Sequence, residues 1–148
     1  MSLTNMIFVN LPVGDVATST AFYTALGAEL NPMFSNEAAS CIVFSESIYA
    51  MLLSHEFFAG FIPGRKIADA KDAVGMLICI SQDSRDAVDA LIDKADAAGG
   101  TADINPQQDM GFMYSRSFAD PDGHIWEVMW MDPAAAASGP EASAEVAA

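Results

Sequence analysis

The feature that most constrains the fold is an internal duplication, in which both halves of the chain carry the same order of predicted elements. In each half an apolar strand is followed by a helix and then by three more strands. The pattern β-α-β-β-β therefore occurs twice, over residues 6–53 and 74–131. The repeat predicts an α+β fold built from two similar modules, each with its own sheet and helix.

In the first module, side chains alternate from Met6 to Val13 in a way that is typical of a strand. Asp15 is a favoured N-cap for a helix over residues 16–26, and Gly27 is placed to end that helix. Further strands are predicted over residues 28–34, 39–44 and 48–53.

In the second module, residues 74–80 form an apolar strand, and Asp83 to Asp86 resemble a capping box before a helix with an acidic outer face. Strands are then predicted over 101–104, 111–119 and 124–131. The last two are joined by Asp120-Pro121-Asp122-Gly123, in which a left-handed Gly123 completes a bulged hairpin loop.

Two segments fall outside the repeat. The linker over residues 54–73 contains three phenylalanines and the pair Arg65-Lys66. It is either a functional lid or a connection that packs its phenylalanines as a plug. Residues 133–148 are rich in Ala and lack aromatic residues, so we expect a loose, flexible tail after a single domain over residues 1–132.

Composition limits the class of partner. The chain has 148 residues, a hydrophobic content of 52% and a net charge of −14, which predicts one globular domain. Because only six residues are Lys or Arg, the sequence argues against nucleic-acid phosphates and anionic membranes as partners. No signal peptide or membrane-length apolar run is present, so we expect a cytoplasmic protein. Cys41 and Cys79 lie in apolar runs typical of buried strand cysteines.

Glu127 is the unusual residue of the last strand. Its neighbours Trp126 and Val128 point to the opposite face, and the strand is otherwise rich in Trp and Met. An unpaired carboxylate would be costly to bury there. Glu127 therefore belongs to an ion pair, for which Arg116 is the candidate, or lies at a sheet edge, or faces a site.

The two modules, with F-A-D-P-D-G-H-I-W-E closing the second, resemble the vicinal oxygen chelate superfamily, which holds glyoxalase I, extradiol dioxygenases and bleomycin-resistance proteins. The segments M-I-F-V-N-L-P-V-G-D, F-Y-T-A-L-G, F-F-A-G-F and P-Q-Q-D-M-G-F-M-Y are similar to a bacterial subgroup of predicted lactoylglutathione lyases. The resemblance covers Met6 to Asp132 and implies curved mixed sheets around a central cavity, with the helices outside. It does not fix the activity, because this fold hosts several reactions and pure binding proteins.

Metal-using members of that superfamily bind a divalent ion at four inward positions. The resemblance places these positions on Phe8, Met51, Gly75 and Glu127. A catalytic zinc usually takes three protein ligands, and here only Glu127 has a hard donor. We therefore expect no metal cofactor unless His55 or another residue rescues the site, and we expect the other histidine, His124, at the turn or the surface.

Strand parity places a largely apolar set of side chains, with a few polar ones, on the same inward faces as Glu127. Its members are Phe8, Asn10, Tyr49, Met51, Leu53, Gly75, Leu77, Ser115, Ser117 and Met129. Such a lining suits a small amphipathic or aromatic molecule. The alternative is that these side chains only fill a core.

Two functions follow from these residues. In one, the protein binds a small molecule and Glu127 orients it as a hydrogen-bond acceptor. In the other, it is an enzyme similar to lactoylglutathione lyases or dioxygenases, acting on an α-oxo or vicinal-oxygen substrate. Glu127 is then the base or a metal ligand, and Asn10, Tyr49 or Ser117 stabilises the developing charge. Strands that are apolar on both faces also predict a homodimer.

Overall fold

The computed structural model describes residues 2–139. The chain forms two compact units, one built from the chain up to Ala73 with Pro121–His124, the other from Val74–Asp120 and the chain from Ile125 onward. Each unit holds one mixed sheet and one main helix. The predicted α+β class with mixed sheets is confirmed.

The first unit begins with a strand and a helix and continues with three strands. Its elements are β1 (Ile7–Val13), α1 (Val16–Ala25), β2 (Glu29–Asn31), a 3-10 turn (Pro32–Phe34), β3 (Ala39–Val43), β4 (Ile48–Ser54) and α2 (His55–Ala59). The strand order is β1-β4-β3-β2. Strand β1 runs parallel to β4, and the other pairs are antiparallel.

Helix α1 covers one side of this sheet. The Asp15 side chain accepts a hydrogen bond from the Thr18 N–H at 2.9 Å, which confirms the predicted N-cap. The helix packs on β3 and β4. Phe22 and Tyr23 from α1, with Leu11 and Val13 from β1, form a buried core on this side.

The second unit repeats the arrangement with one additional short strand. Its elements are β5 (Ile78–Ser81), α3 (Arg85–Ala97), β6 (Thr101–Ala102), β7 (Gln108–Asp109), β8 (Met113–Ala119), β9 (Ile125–Met131) and α4 (Pro133–Ser138). The order is β5-β9-β8-β6, with β7 also paired to β8. Strand β5 runs parallel to β9, and α3 packs on β8 and β9. The N-cap of α3 is Ser84, one residue after the start of the predicted capping box, and its side chain accepts a hydrogen bond from the Ala87 N–H at 3.0 Å.

The hairpin between β8 and β9 turns as the sequence predicts. Gly123 has a φ of +95°, in the left-handed region that a residue without Cβ enters freely. A Cβ at this position would lie 2.7 Å from the Lys71 Cγ and 2.9 Å from the Lys71 backbone nitrogen. Both the turn and the close packing of the linker therefore require glycine at position 123.

Several boundaries differ from the predictions. Strand β5 begins at Ile78 instead of Val74, because its partner β9 begins only after the hairpin turn, so Gly75 and Leu77 lie outside the sheet. The strand predicted over 28–34 bends at Pro32, and the one predicted over 101–104 ends at Ala102. Strand β7 was not predicted.

In the linker, one short helix, α2, forms directly after β4. In the tail, α4 occupies part of the segment expected to be loose, and residues 140–148 lie outside the described residues. The longest helix within residues 2–139 is α3, with 13 residues. No helix in that range is long and apolar enough to cross a membrane.

Candidate functional site: the Glu127 face

Glu127 lies on the side of the second sheet that faces away from α3. Ser117 on β8 pairs in register with Glu127 on β9, as predicted, and Cys79 on β5 pairs with Glu127 from the other side. The next row along the strands consists of Ser81, Met129 and Ser115. Residues paired across neighbouring strands project to the same side of a sheet. We call the surface formed by these two rows the Glu127 face.

The opposite side of the same strands is packed against α3. Trp126, Val128 and Phe118 are buried there. The Tyr114 hydroxyl donates to the Asp89 carboxylate of α3 at 2.7 Å, which fixes the direction of the alternation along β8. Ser115 and Ser117 therefore point away from α3.

Within residues 2–139, the Glu127 side chain takes part in no hydrogen bond or salt bridge, and it is only partly exposed. The hypothesis of an ion pair with Arg116 is wrong, because the Arg116 guanidinium binds Asp103 and Asp89 on the α3 side. A sheet-edge position is also wrong, because β9 lies between β5 and β8. That Glu127 faces a ligand site stays a prediction.

Cys79 corrects the expectation of two buried cysteines. Cys41 is buried as expected, but the Cys79 side chain is exposed and stands beside Glu127 in the parallel pair. Partial desolvation and, second, the charge of Glu127 raise the pKa of the Cys79 thiol. The thiol therefore stays protonated at neutral pH. Cys79 is two residues after Leu77, so the alternation along the strand would have placed it on the same face as Leu77 and Glu127.

Ser117 is buried, and its hydroxyl is already bonded. It accepts a hydrogen bond from the Asn105 N–H at 2.9 Å and donates one to the Asn105 carbonyl at 3.2 Å. The Ser117 hydroxyl thus holds the loop after β6 by two hydrogen bonds. Contact between Ser117 and a ligand, like contact with Met129 or Leu77, stays a prediction.

The first unit brings its own predicted residues together. Phe8 pairs with Tyr49 and Asn10 with Met51, all on the side of the first sheet away from α1. The rings of Phe8 and Tyr49 stack with centroids 4.6 Å apart, and the Tyr49 hydroxyl donates to the Glu46 carbonyl at 3.0 Å. The predicted shared face is therefore present, and its role in binding stays a prediction.

The residues at the expected metal positions do not suit a hard or borderline cation. Phe8 and Gly75 have no donor, and Met51 offers only a thioether, which suits soft ions. Within residues 2–139, no group of three or more His, Cys, Asp or Glu side chains could hold a metal ion. The fit of the residues to a metal is poor, and the expectation of a metal-free protein stays a prediction.

The two histidines lie in the first unit, around a separate cavity. The His124 Nε2 is 2.7 Å from the Pro12 carbonyl oxygen, and His55 is the first residue of α2. Both line a cavity of about 440 Å³ together with residues 67–71 and Asp122. His124 is thus a partly buried residue that ties the hairpin turn to the end of β1.

The two βαβββ units define the class of protein. The family model described as Glyoxalase/Bleomycin resistance protein/Dioxygenase superfamily matches residues 5–128. The chain belongs to this superfamily. A search of curated proteins finds no match.

Solved structures with the same fold are numerous. One is the hypothetical protein SA1046 from S. aureus, with a TM-score of 0.71 and 22% identity over 87% of this chain and 95% of that one. A glyoxalase/bleomycin resistance protein/dioxygenase family enzyme from Burkholderia phytofirmans has a TM-score of 0.71 and 18% identity, over 86% and 99%. A glyoxalase-related enzyme from Fulvimarina pelagi has a TM-score of 0.70 and 22% identity, over 86% and 88%. At these identities the likeness concerns the fold.

Proposed function

We propose that the protein binds a small amphipathic or aromatic molecule on the Glu127 face, without a resident metal, and that the Glu127 carboxylate accepts a hydrogen bond from it. The observation that carries this proposal is a partly buried carboxylate on a central strand with no hydrogen bond or salt bridge among residues 2–139. Such a group is unfavourable unless a partner satisfies it. A ligand with an N–H, an O–H or a positive charge would supply that partner.

The charges of the second unit favour a cationic or neutral ligand over an anionic one. Its described basic residues are Arg85, Lys94 and Arg116. Arg85 binds Asp109, Arg116 binds two aspartates, and Lys94 lies on α3, on the other side of the sheet. An anionic adduct such as a glutathione conjugate would find no cation on the Glu127 face. This argues against a literal lactoylglutathione lyase.

The enzymatic alternative has weaker support from the hydrogen bonds. A base acting on a carbonyl compound needs donors for the developing oxyanion. The hydroxyls of Tyr49 and Ser117, two of the three residues expected to do this, both donate to backbone carbonyls instead. We therefore favour binding over turnover.

A matched series of aromatic probes tests the binding proposal. Benzylamine, benzyl alcohol and benzoate carry one ring with a positive, a neutral donor and a negative group. Titrated against the protein by saturation-transfer NMR, benzylamine should bind most tightly and benzoate least. Equal affinities, or a preference for benzoate, would contradict the role of Glu127.

The enzymatic alternative has its own assay. The hemithioacetal of methylglyoxal and glutathione is incubated with the protein, with and without added Zn²⁺ or Ni²⁺. We expect no rate above the buffer. Turnover that disappears in Glu127→Gln would establish the lyase reading instead.

We also propose that the protein forms a homodimer. Strands β1 and β5 each lie at an edge of their own sheet. Apolar side chains are exposed along or next to them, namely those of Met6, Ile7, Phe8, Val74, Met76 and Leu77. Exposed apolar side chains at sheet edges favour association. Sedimentation equilibrium at micromolar concentration should give the dimer mass, and a monomer mass would refute the proposal.

A further inference from the structure

The chain between β6 and β7 forms an enlarged bulge beside Glu127. Ala102 pairs with Phe118 and Gln108 pairs with Ser115, so the five residues 103–107 stand opposite only two residues of β8, Arg116 and Ser117. Bulges leave residues unpaired and redirect the side chains of the bulged strand. We call residues 103–107 the bulge loop.

On the Glu127 face, Ser117 anchors the bulge loop. The Asp103 N–H donates to the Ser117 carbonyl at 2.7 Å. Asn105 uses its N–H and its carbonyl oxygen to bind the Ser117 hydroxyl, at 2.9 and 3.2 Å. Ser117 is the residue directly opposite Glu127. A serine and a glutamate paired across neighbouring strands are close enough to form a hydrogen bond. In this structure the Ser117 hydroxyl donates to the Asn105 carbonyl instead.

On the α3 side, Arg116 anchors the same loop. Its Nε and Nη2 donate to the two oxygens of Asp103 at 3.0 and 2.7 Å, and its Nη1 donates to Asp89 of α3 at 2.9 Å. The Arg116 side chain is 14% exposed. Asp103 has a φ of +51°, a conformation that non-glycine residues rarely adopt. The two parallel hydrogen bonds to Arg116 hold Asp103 in it.

We propose that Arg116 is a positioning residue for the Glu127 site, because by fixing Asp103 it keeps the bulge loop on Ser117 and so prevents the Ser117 hydroxyl from pairing with Glu127. The proposal rests on the proposed function, in which Glu127 accepts a hydrogen bond from a ligand. With Arg116 in place the carboxylate is left for the ligand. Without it, Asp103 would relax toward an extended conformation, Asn105 would withdraw, and Ser117 would donate to Glu127.

The structure of Arg116→Met tests the first half of the proposal with no ligand present. In its crystal structure the Ser117 hydroxyl should lie within hydrogen-bond distance of a Glu127 oxygen and should have left Asn105. A Ser117 hydroxyl still bonded to Asn105 would overturn the proposal. Arg116→Lys keeps the charge but not the forked geometry, and it should shift the loop in the same direction if the methionine variant does not fold.

Benzylamine binding tests the second half. Arg116→Met should weaken benzylamine affinity by about tenfold, since the ligand now competes with a serine hydroxyl. Adding Ser117→Ala to Arg116→Met should restore the affinity to within about twofold of the parent, because no competing hydroxyl remains, without restoring the melting temperature. If Arg116 had a purely structural role, the double variant would not regain affinity. A double variant that binds benzylamine no better than Arg116→Met would therefore overturn the proposal.

Arg85→Met is the matched control. Arg85 makes an equally forked pair with Asp109, with both distances 2.9 Å, but it does not touch the bulge loop. It should lower stability and leave benzylamine affinity within about twofold of the parent. An equal affinity loss in this variant would contradict the assignment to Arg116. If benzylamine does not bind the parent protein, the proposed function fails, and the structure of Arg116→Met still decides the positioning claim.

Discussion

The two sheets share the same core topology but present different chemistry on the sides that face away from α1 and α3. The first sheet shows a stacked Phe8–Tyr49 pair beside Asn10 and Met51. The second shows a carboxylate, Glu127, in a row with Cys79 and Ser117. In both units a parallel edge strand lies beside a central strand, and one helix covers the opposite side. The shared topology decides which residues share a face, and the residue types decide what that face binds.

The two sides of each sheet should also differ in stability. Trp126→Ala, on the α3 side, should lower the free energy of unfolding by about 3–5 kcal/mol, because the indole is 1% exposed and its removal leaves a cavity. Phe8→Ala, on the side of the first sheet that faces away from α1, should cost roughly 1 kcal/mol, since Phe8 is 48% exposed and loses mainly its stacking on Tyr49. Urea denaturation measures both. Equal losses of unfolding free energy in the two variants would contradict the distinction between the side packed on a helix and the opposite side.

In the second unit, Arg116 is shared by two aspartates, Asp89 and Asp103, in a pair of salt bridges. Arg116→Met should destabilise the protein by about 2 kcal/mol, because it leaves Asp103 and Asp89 without their shared partner, and both aspartates are partly solvated. Denaturation of the parent and the variant at pH 7 measures the effect. A change below about 0.5 kcal/mol would indicate a solvated surface pair.

The acidic pairs of the second unit predict how stability depends on pH. Arg116 lowers the pKa of Asp103. The Tyr114 hydroxyl and then Arg116 lower that of Asp89, and Arg85 lowers that of Asp109 to about 2. A carboxyl with a depressed folded-state pKa stabilises the protein above its unfolded value near pH 4, and this contribution is lost as the pH falls toward 2. The free energy of unfolding should therefore fall over this range. Asp109→Asn should make the fall shallower, and an unchanged slope would show that the pair does not contribute.

The sequence predicted the alternation that defines the faces but not the contacts that set the bulge. Asp120 to Gly123 determine the hairpin turn, and the turn fixes the register that places Ser117 opposite Glu127. The alternation along the first and fourth strands likewise predicted that Phe8 and Tyr49 share a face. Such local signals depend on neighbours in the chain, so a single sequence carries them.

The salt bridges of Arg116 could not be predicted from such local signals. They join Asp89 of α3, Asp103 of the bulge loop and a β8 side chain, whose meeting depends on how helix and sheet pack. The positive φ of Asp103 was also not predictable, because the residue at this position is not a glycine. The same limit explains Cys79, whose apolar neighbours suggested burial although β5 is an edge strand.

The affinity of benzylamine for three proteins tests the central claim, that Glu127 is held ready for a ligand, most directly. Glu127→Gln should weaken binding by about 1–2 kcal/mol, roughly tenfold, because a charge-assisted hydrogen bond becomes a neutral one. It should keep or raise the stability of the free protein, since a desolvated charge is removed. Glu46→Gln, an equal change at an exposed turn of the first unit, should leave the affinity unchanged. Equal affinities for the parent and Glu127→Gln, or a Glu127→Gln protein that is strongly destabilised, would contradict the claim and make Glu127 a structural residue.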